Sequence, residues 1–158
     1  MMSNKGSVLD LFVIIAVLFG TAIAIIVGYK IISSIQSTWV PDDATALAIL
    51  TDGTAVMKVF NAGFLIITFG MGVAVFISAF MIKTYPTFFV VSILMLGIAL
   101  IVAAPFSNAF NYFINTDEMV DAIPHFGILN TIMRNLPKII FGFGLLLIVV
   151  LYAKTQTI

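Results

Sequence analysis

The chain has 158 residues, of which 62% are hydrophobic and 9% are charged. Soluble domains are roughly 45–50% apolar and about 25% charged, and a small soluble fold has too much surface to hide such an excess. The seven basic and seven acidic residues give a formal net charge of zero, so the chain lacks the basic surface typical of nucleic-acid binding. The chain has no cysteine, which excludes disulfides, thiolate metal sites and thiol catalysis.

The first apolar segment covers residues 8–35. A helix needs about 20 apolar residues to cross the hydrocarbon of a bilayer. Asp10 lies at the expected helix start, where the helix dipole favours an anion, and Tyr29 and Lys30 lie at the expected exit, where aromatic and basic side chains are common. Because the apolar stretch exceeds the roughly 7–15 residues of a signal peptide, we predict a retained span.

Residues 40–58 are more polar. The sequence Pro41-Asp42-Asp43 is typical of a helix start, because proline fits a first turn and carboxylates suit the dipole there. We predict a short interfacial helix in this loop, interrupted near Gly53 and too polar to span the membrane. The second span follows over residues 59–82.

The third predicted span covers residues 87–105. The apolar run continues beyond Pro105 and is longer than one crossing requires. Since proline removes a helical hydrogen bond, we predict a kink or break at Pro105, followed by an emergent amphipathic turn or two.

The second polar loop covers residues 116–136. After Pro124, apolar residues recur at helical spacing and predict an amphipathic helix that lies on the membrane. These residues are Phe126, Leu129, Ile132, Met133 and Leu136. The fourth span, over residues 138–153, is short, so a three-span protein with a re-entrant last segment is the alternative.

The predicted fold is therefore all-α: a single integral membrane domain built as a bundle of four transmembrane helices, with short interfacial amphipathic helices in the two long loops. Four crossings place both termini on the same side of the membrane. The basic residues of the short segments on that side, which are Lys5, Lys83 and Lys154, predict that it is the cytoplasmic side.

Small residues recur every four positions on two of the predicted spans. They are Ala16, Gly20, Ala24 and Gly28 on the first span, and Gly70, Ala74 and Ser78 on the second. Such stripes let another helix approach closely, which favours packing where lipid supplies no hydrophobic drive. They predict helix-packing surfaces, either within the chain or toward other copies or a larger membrane complex.

Asparagines give the segment after Pro105 a polar face, formed by Asn108, Asn111 and Asn115. We interpret this face as the wet side of a helix that leaves the membrane. The alternative is the polar lining of a pore, because asparagine amides bond across helices in lipid.

The acidic residues Asp117, Glu118 and Asp121 are interpreted as a solvated helix start, since calcium takes six or more oxygen ligands and no calcium-loop pattern is present. His125 is the sole histidine, and no nucleophile, phosphate-loop or dinucleotide motif occurs. We therefore predict no catalytic residue, no cofactor and no metal. The lack of charge near the centres of the spans argues against an autonomous transporter.

The start of the chain carries two resemblances. Asn4-Lys5-Gly6-Ser7, followed by the apolar run Val8 to Val13 with Asp10 inside it, resembles the leader of type IV pilin-like proteins, in which a peptidase cuts after the glycine. Together with the span pattern, this start also resembles small multi-span membrane proteins encoded by archaea and by viruses with an internal membrane. The second resemblance implies a structural protein of a virion or cell membrane.

The sequence thus favours a non-enzymatic structural or accessory membrane protein. Its expected partners are the lipid bilayer and either copies of itself or a larger membrane complex, with no nucleic acid. The alternative is a small pore or channel, holin-like in size and span number, or a subunit for small-solute transport.

Overall fold

The structure is a computed structural model that describes residues 9–38, 44–81 and 86–155. Every regular element in these ranges is a helix. The elements in chain order are α1 (Leu9–Thr38), α2 (Ala44–Met81), α3 (Pro86–Ile114), a 3-10 turn (Val120–His125), α4 (Gly127–Arg134) and α5 (Leu136–Thr155). The leader-like residues 4–8 and the Pro41-Asp42-Asp43 signal lie outside the described residues.

Four of these helices, α1, α2, α3 and α5, are long and apolar enough to cross a membrane. Their outer surfaces carry large apolar side chains, such as Ile66 on α2 and Ile101 on α3, which are each 72% exposed. An aqueous solvent would not tolerate a surface covered in this way, whereas lipid does. The predicted all-α bundle with four membrane-spanning helices is confirmed.

The centre of the bundle is built on α1, which contacts all three other spanning helices and α4. Its buried side chains recur at intervals of three and four residues, so that one face of the helix is covered along its length. The fully buried members of this face are Leu11, Ile15, Leu18, Ala22 and Ile26.

The interruption predicted near Gly53 is absent, because α2 is one continuous helix of 38 residues. Glycine in a helix costs about 1 kcal/mol relative to alanine, which packing against a neighbouring helix offsets. Here α2 packs along α1: a Cβ at Gly53 would lie 3.5 Å from the Ile32 side chain, and the Gln36 amide donates to the Thr51 hydroxyl at 3.1 Å. The predicted separate interfacial helix is therefore the first part of α2.

The length of α2 makes part of it project from the membrane. At a rise of about 1.5 Å per residue, 38 residues extend about 57 Å, whereas the hydrocarbon core is about 30 Å thick. The tilt needed to keep the whole helix in lipid would exceed the usual range of about 0–40°. Because Asp52 and Lys58 lie in the N-terminal part of α2, we expect this part, with the C-terminal part of α1 that packs against it, to extend beyond the bilayer.

Of the kink or break predicted at Pro105, the break is absent, because α3 continues through this residue to Ile114. The Pro105 side chain is exposed on the outer side of the helix, so its ring displaces nothing in the core. Proline inside a spanning helix is tolerated where the surrounding structure satisfies or accommodates the freed carbonyl.

The predicted amphipathic helix is present as α4, but its apolar face is covered by protein rather than lipid. Phe126, Leu129, Ile132, Met133 and Leu136 are all buried, at 6% exposure or less. The contacts of α4 are chiefly with α2 and α3. The helix therefore closes one end of the bundle, and α5 begins at Leu136, two residues earlier than the predicted fourth span.

Candidate functional site

The small-residue stripe of α1 faces mostly outward. Ala16, Gly20 and Ala24 are exposed, and a Cβ added at Gly20 would meet no atom within 4 Å. Gly28 differs, because a Cβ there would lie 3.5 Å from the Met57 side chain of α2. One residue of the stripe, Gly28, thus packs within the chain. The other three are small residues on the outer surface of the bundle.

The second stripe, on α2, is also largely uncovered. Gly70 is exposed, and a Cβ added there would meet no atom within 4 Å, whereas Ala74 and Ser78 line a cleft that separates α2 from the first turns of α1. The opposite wall of this cleft carries Asp10 and Val13. Within the described part of the chain, Gly70 and Ala74 are therefore exposed and Ser78 is half-buried beside the cleft.

The glycines that do permit close helix packing are Gly72 and Gly144. A Cβ at Gly72 would overlap the Phe143 ring, and one at Gly144 would overlap the Leu96 side chain. These two contacts join α2 to α5 and α3 to α5. Gly72 lies between the residues of the predicted stripe and was missed, since spacing alone does not tell which glycine of a glycine-rich helix meets a large side chain.

The predicted asparagine face is split between two environments. Asn108 and Asn115 are exposed, and the Asn115 amide donates to the Asn111 carbonyl within the same helix at 2.7 Å. Asn111 is half-buried, and its side-chain oxygen is shielded from solvent without a hydrogen-bond donor among the described residues. Within one chain, these side chains do not form a continuous inward-facing lining.

Two polar side chains that the sequence did not single out hold α4 in place. The Asn61 side-chain oxygen, from α2, accepts the Leu129 N–H near the start of α4 at 3.0 Å. The Ser107 hydroxyl, from α3, donates to the Met133 carbonyl near its end at 2.9 Å. In the sequence Asn61 is only a polar member of a span, and no local pattern relates it to a helix 68 residues away.

An aromatic and basic cluster lies beside α4 at the same end of the bundle. Tyr29 of α1 is 8% exposed and packs against His125 and Phe126, with ring centroids 5.2 Å away in each case. The Lys58 ammonium lies 5.8 Å from the centre of the Tyr29 ring. Tyrosine and lysine are typical of the membrane interface, so this cluster marks the depth at which the bundle meets water.

The acidic residues of the loop between α3 and α4 are exposed and are not gathered into a metal site. Asp121 pairs with Lys30 of α1 at 3.8 Å, and the Asp121 side chain is 80% exposed. Among the residues that the structure describes, no three histidine, aspartate or glutamate side chains lie close enough to share a metal ion. This pair is the point where the loop comes within ion-pair distance of α1.

These features define a class: a multi-pass helical membrane protein with four spans, one end closed by a short helix, and small residues exposed on its lipid-facing surface. Comparison with protein-family models, with curated proteins and with solved structures gave no match to this chain.

Proposed function

We propose that the protein is a non-enzymatic structural or accessory component of a membrane, which packs through the outer face of α1 against further copies of itself in a larger assembly. The observation that carries this proposal is the exposed stripe of Ala16, Gly20 and Ala24. In lipid, helices associate through close backbone approach rather than through hydrophobic burial, and small residues four positions apart permit that approach.

The distribution of charge supports a structural role. The central parts of the four spanning helices contain no Asp, Glu, Lys, Arg or His; these are residues 11–29, 59–81, 86–114 and 139–153. Ion pumps and proton-coupled carriers place such groups inside the membrane to bind or relay their cargo. The resemblance of the chain to small multi-span proteins of archaea and of viruses favours a cell membrane or an internal virion membrane as the setting.

Association in lipid vesicles tests the proposal. Two populations of the full chain, labelled with a donor and an acceptor dye, are mixed in vesicles at several protein-to-lipid ratios, and energy transfer is measured. We expect Gly20→Leu to lower the apparent affinity obtained from energy transfer by about tenfold, because a leucine side chain on the stripe keeps the helices apart.

Gly97 of α3 supplies a matched control. It is an exposed glycine of a spanning helix with no neighbour within 4 Å of an added Cβ, but Ile93 and Ile101 flank it at four-residue spacing instead of alanines. We expect Gly97→Leu to leave association unchanged. Equal association of the wild-type chain and the Gly20→Leu variant would refute the proposal.

A further inference from the structure

A cleft of about 200 Å³ lies between the first turns of α1 and the last turns of α2. Asp10 and Ser78 supply its polar groups, and its walls are apolar, formed chiefly by Val13, Met71, Ala74 and Val75. The cleft is therefore large enough for a small polar group rather than a single water molecule. It lies on the side of the bundle opposite the end that α4 closes.

Neither polar group of the cleft is used by the described part of the protein. The Asp10 carboxylate makes no ion pair or hydrogen bond, and the Ser78 hydroxyl makes no hydrogen bond, with any residue that the structure describes. Asp10 is half-buried and lies in the first turn of α1. The helix dipole favours a carboxylate in this first turn but leaves its oxygens free to accept hydrogen bonds, so the cleft can take an occupant of opposite charge.

The polar groups of the cleft suit a primary ammonium better than a metal ion or a quaternary ammonium. A carboxylate and a hydroxyl oxygen accept hydrogen bonds from the three N–H groups of a primary ammonium. Two such side chains are too few for calcium, which takes six to eight oxygen ligands. Quaternary ammonium groups are recognised by aromatic cages, and no aromatic side chain lines this cleft among the residues that the structure describes.

The position of the cleft across the membrane indicates which molecule carries the ammonium group. Asp10 stands at the start of a span, where lipid headgroups meet the hydrocarbon, and the apolar walls continue from it toward the bilayer. We propose that the cleft binds the headgroup of an ethanolamine phospholipid, with its ammonium between Asp10 and Ser78. This inference is independent of self-association through the stripe of Ala16, Gly20 and Ala24.

Carbodiimide coupling tests the proposal directly. The full chain is reconstituted in vesicles of choline phospholipid with a minority of ethanolamine phospholipid, and a carbodiimide joins a carboxylate to a primary amine in contact with it, with loss of one water. We expect the chain to gain the mass of one ethanolamine lipid less one water, with the amide mapped to Asp10. Vesicles of choline phospholipid alone give no adduct, because a quaternary ammonium has no N–H to lose.

Three variants, one of them a control, show whether the cleft is responsible. We expect Asp10→Asn to abolish the adduct, while Asp52→Asn, which changes an exposed carboxylate elsewhere on α2, leaves it intact. Ala74→Leu keeps the carboxylate but fills the cleft, and we expect it to reduce the adduct. In native mass spectrometry, Asp10→Asn should lower retention of ethanolamine over choline lipid about tenfold, the scale of one charge-assisted hydrogen bond.

Three results would overturn the proposal. One is an adduct that persists in Asp10→Asn. Another is equal retention of ethanolamine and choline lipids by the wild-type chain. The third is the loss of one water at Asp10 without added lipid mass, which would show that an amine of the chain itself occupies the cleft. Circular dichroism and the elution volume in size-exclusion chromatography in detergent check that each variant is folded before its adduct and lipid retention are measured.

Discussion

Asn61 and Leu129 are 68 residues apart in sequence and are joined by a hydrogen bond of 3.0 Å from the Leu129 N–H to the Asn61 side-chain oxygen. The residue that precedes α4, Phe126, makes no side-chain cap, so one of the unpaired N–H groups at this helix start is satisfied by a different helix. Ser107 acts in the same way on the carbonyls at the other end. α4 is therefore attached to α2 and α3 at its two ends.

Removal of the Asn61 amide should loosen α4 without unfolding the bundle. Loss of a helix cap costs about 1–2 kcal/mol, so we expect Asn61→Ala to speed amide hydrogen exchange over residues 127–134 about tenfold while exchange in α5 stays unchanged. Asn108→Ala, which removes an exposed amide from α3, serves as the control. Equal exchange in Asn61→Ala and the wild type would mean that the hydrogen bond does not hold α4.

The continuity of α2 gives a second prediction, at Gly53. A Cβ at this position would lie 3.5 and 3.6 Å from two Ile32 carbon atoms, which is ordinary van der Waals contact. Gly53→Ala should therefore stabilise the protein by up to about 1 kcal/mol, because alanine favours the helix and nothing needs to move. Thermal unfolding in detergent micelles, followed by circular dichroism, measures the change.

Gly53→Pro, measured in the same experiment, should have the opposite effect on stability. Proline in a helix interior costs about 3 kcal/mol or more, so it should lower the thermal midpoint where alanine raises it. If residues 40–58 formed a separate helix that ended near Gly53, both substitutions would be close to neutral. A neutral result for both would therefore restore the arrangement predicted from the sequence.

The sequence predicted four membrane-spanning helices correctly because a long apolar run has few alternatives: lipid requires every backbone amide to be satisfied within the segment. It failed at Gly53, where packing of α2 against α1 overrode the local signal for ending a helix, and α3 does not break at Pro105, whose side chain faces outward. The contacts of Asn61 and Ser107 with α4 could not be predicted from the sequence, because no periodic pattern indicates which distant helix a single polar side chain will contact.

Tyr29 shows which part of the interfacial cluster carries stability. Its ring is almost fully buried and packs edge-on against Phe126, while its hydroxyl has no hydrogen-bond partner among the described residues. We expect Tyr29→Phe to change the unfolding free energy by less than about 1 kcal/mol and Tyr29→Ala to lower it by about 3 kcal/mol, through the cavity left behind. Similar losses in the two variants would show that the hydroxyl, rather than the ring, is the stabilising group.

The ion pair between Lys30 and Asp121 should contribute little. The two side chains are 28% and 80% exposed, and their 3.8 Å separation is at the long end for such a pair. Exposed pairs are screened by water and salt and often contribute nothing measurable. We expect Asp121→Asn to leave the thermal midpoint within error at both low and high salt. A clear loss at low salt that disappeared at high salt would contradict this and assign the pair a role in holding the loop to α1.

Gly72 and Gly144 should respond differently to the same substitution. At both positions an added methyl group would overlap a facing side chain, but the Phe143 ring opposite Gly72 is half-buried and borders a lipid-facing groove of about 450 Å³ into which it can turn. Leu96, opposite Gly144, is 7% exposed and its branch point, Cγ, lies only 3.1 Å from the added Cβ. We expect Gly144→Ala to cost about 1–3 kcal/mol and Gly72→Ala less than half of that.

The double variant Gly144→Ala with Leu96→Val separates overlap from other effects of the new methyl group. A shorter side chain at position 96 makes room for the added Cβ, so it should recover most of the stability that Gly144→Ala loses, whereas strictly additive losses would show that the two residues do not meet. Thermal unfolding of the four proteins of this cycle in one detergent gives the coupling. A positive coupling of about 1 kcal/mol would establish that α3 and α5 touch at this point, and thereby fix the position of the shortest spanning helix in the bundle.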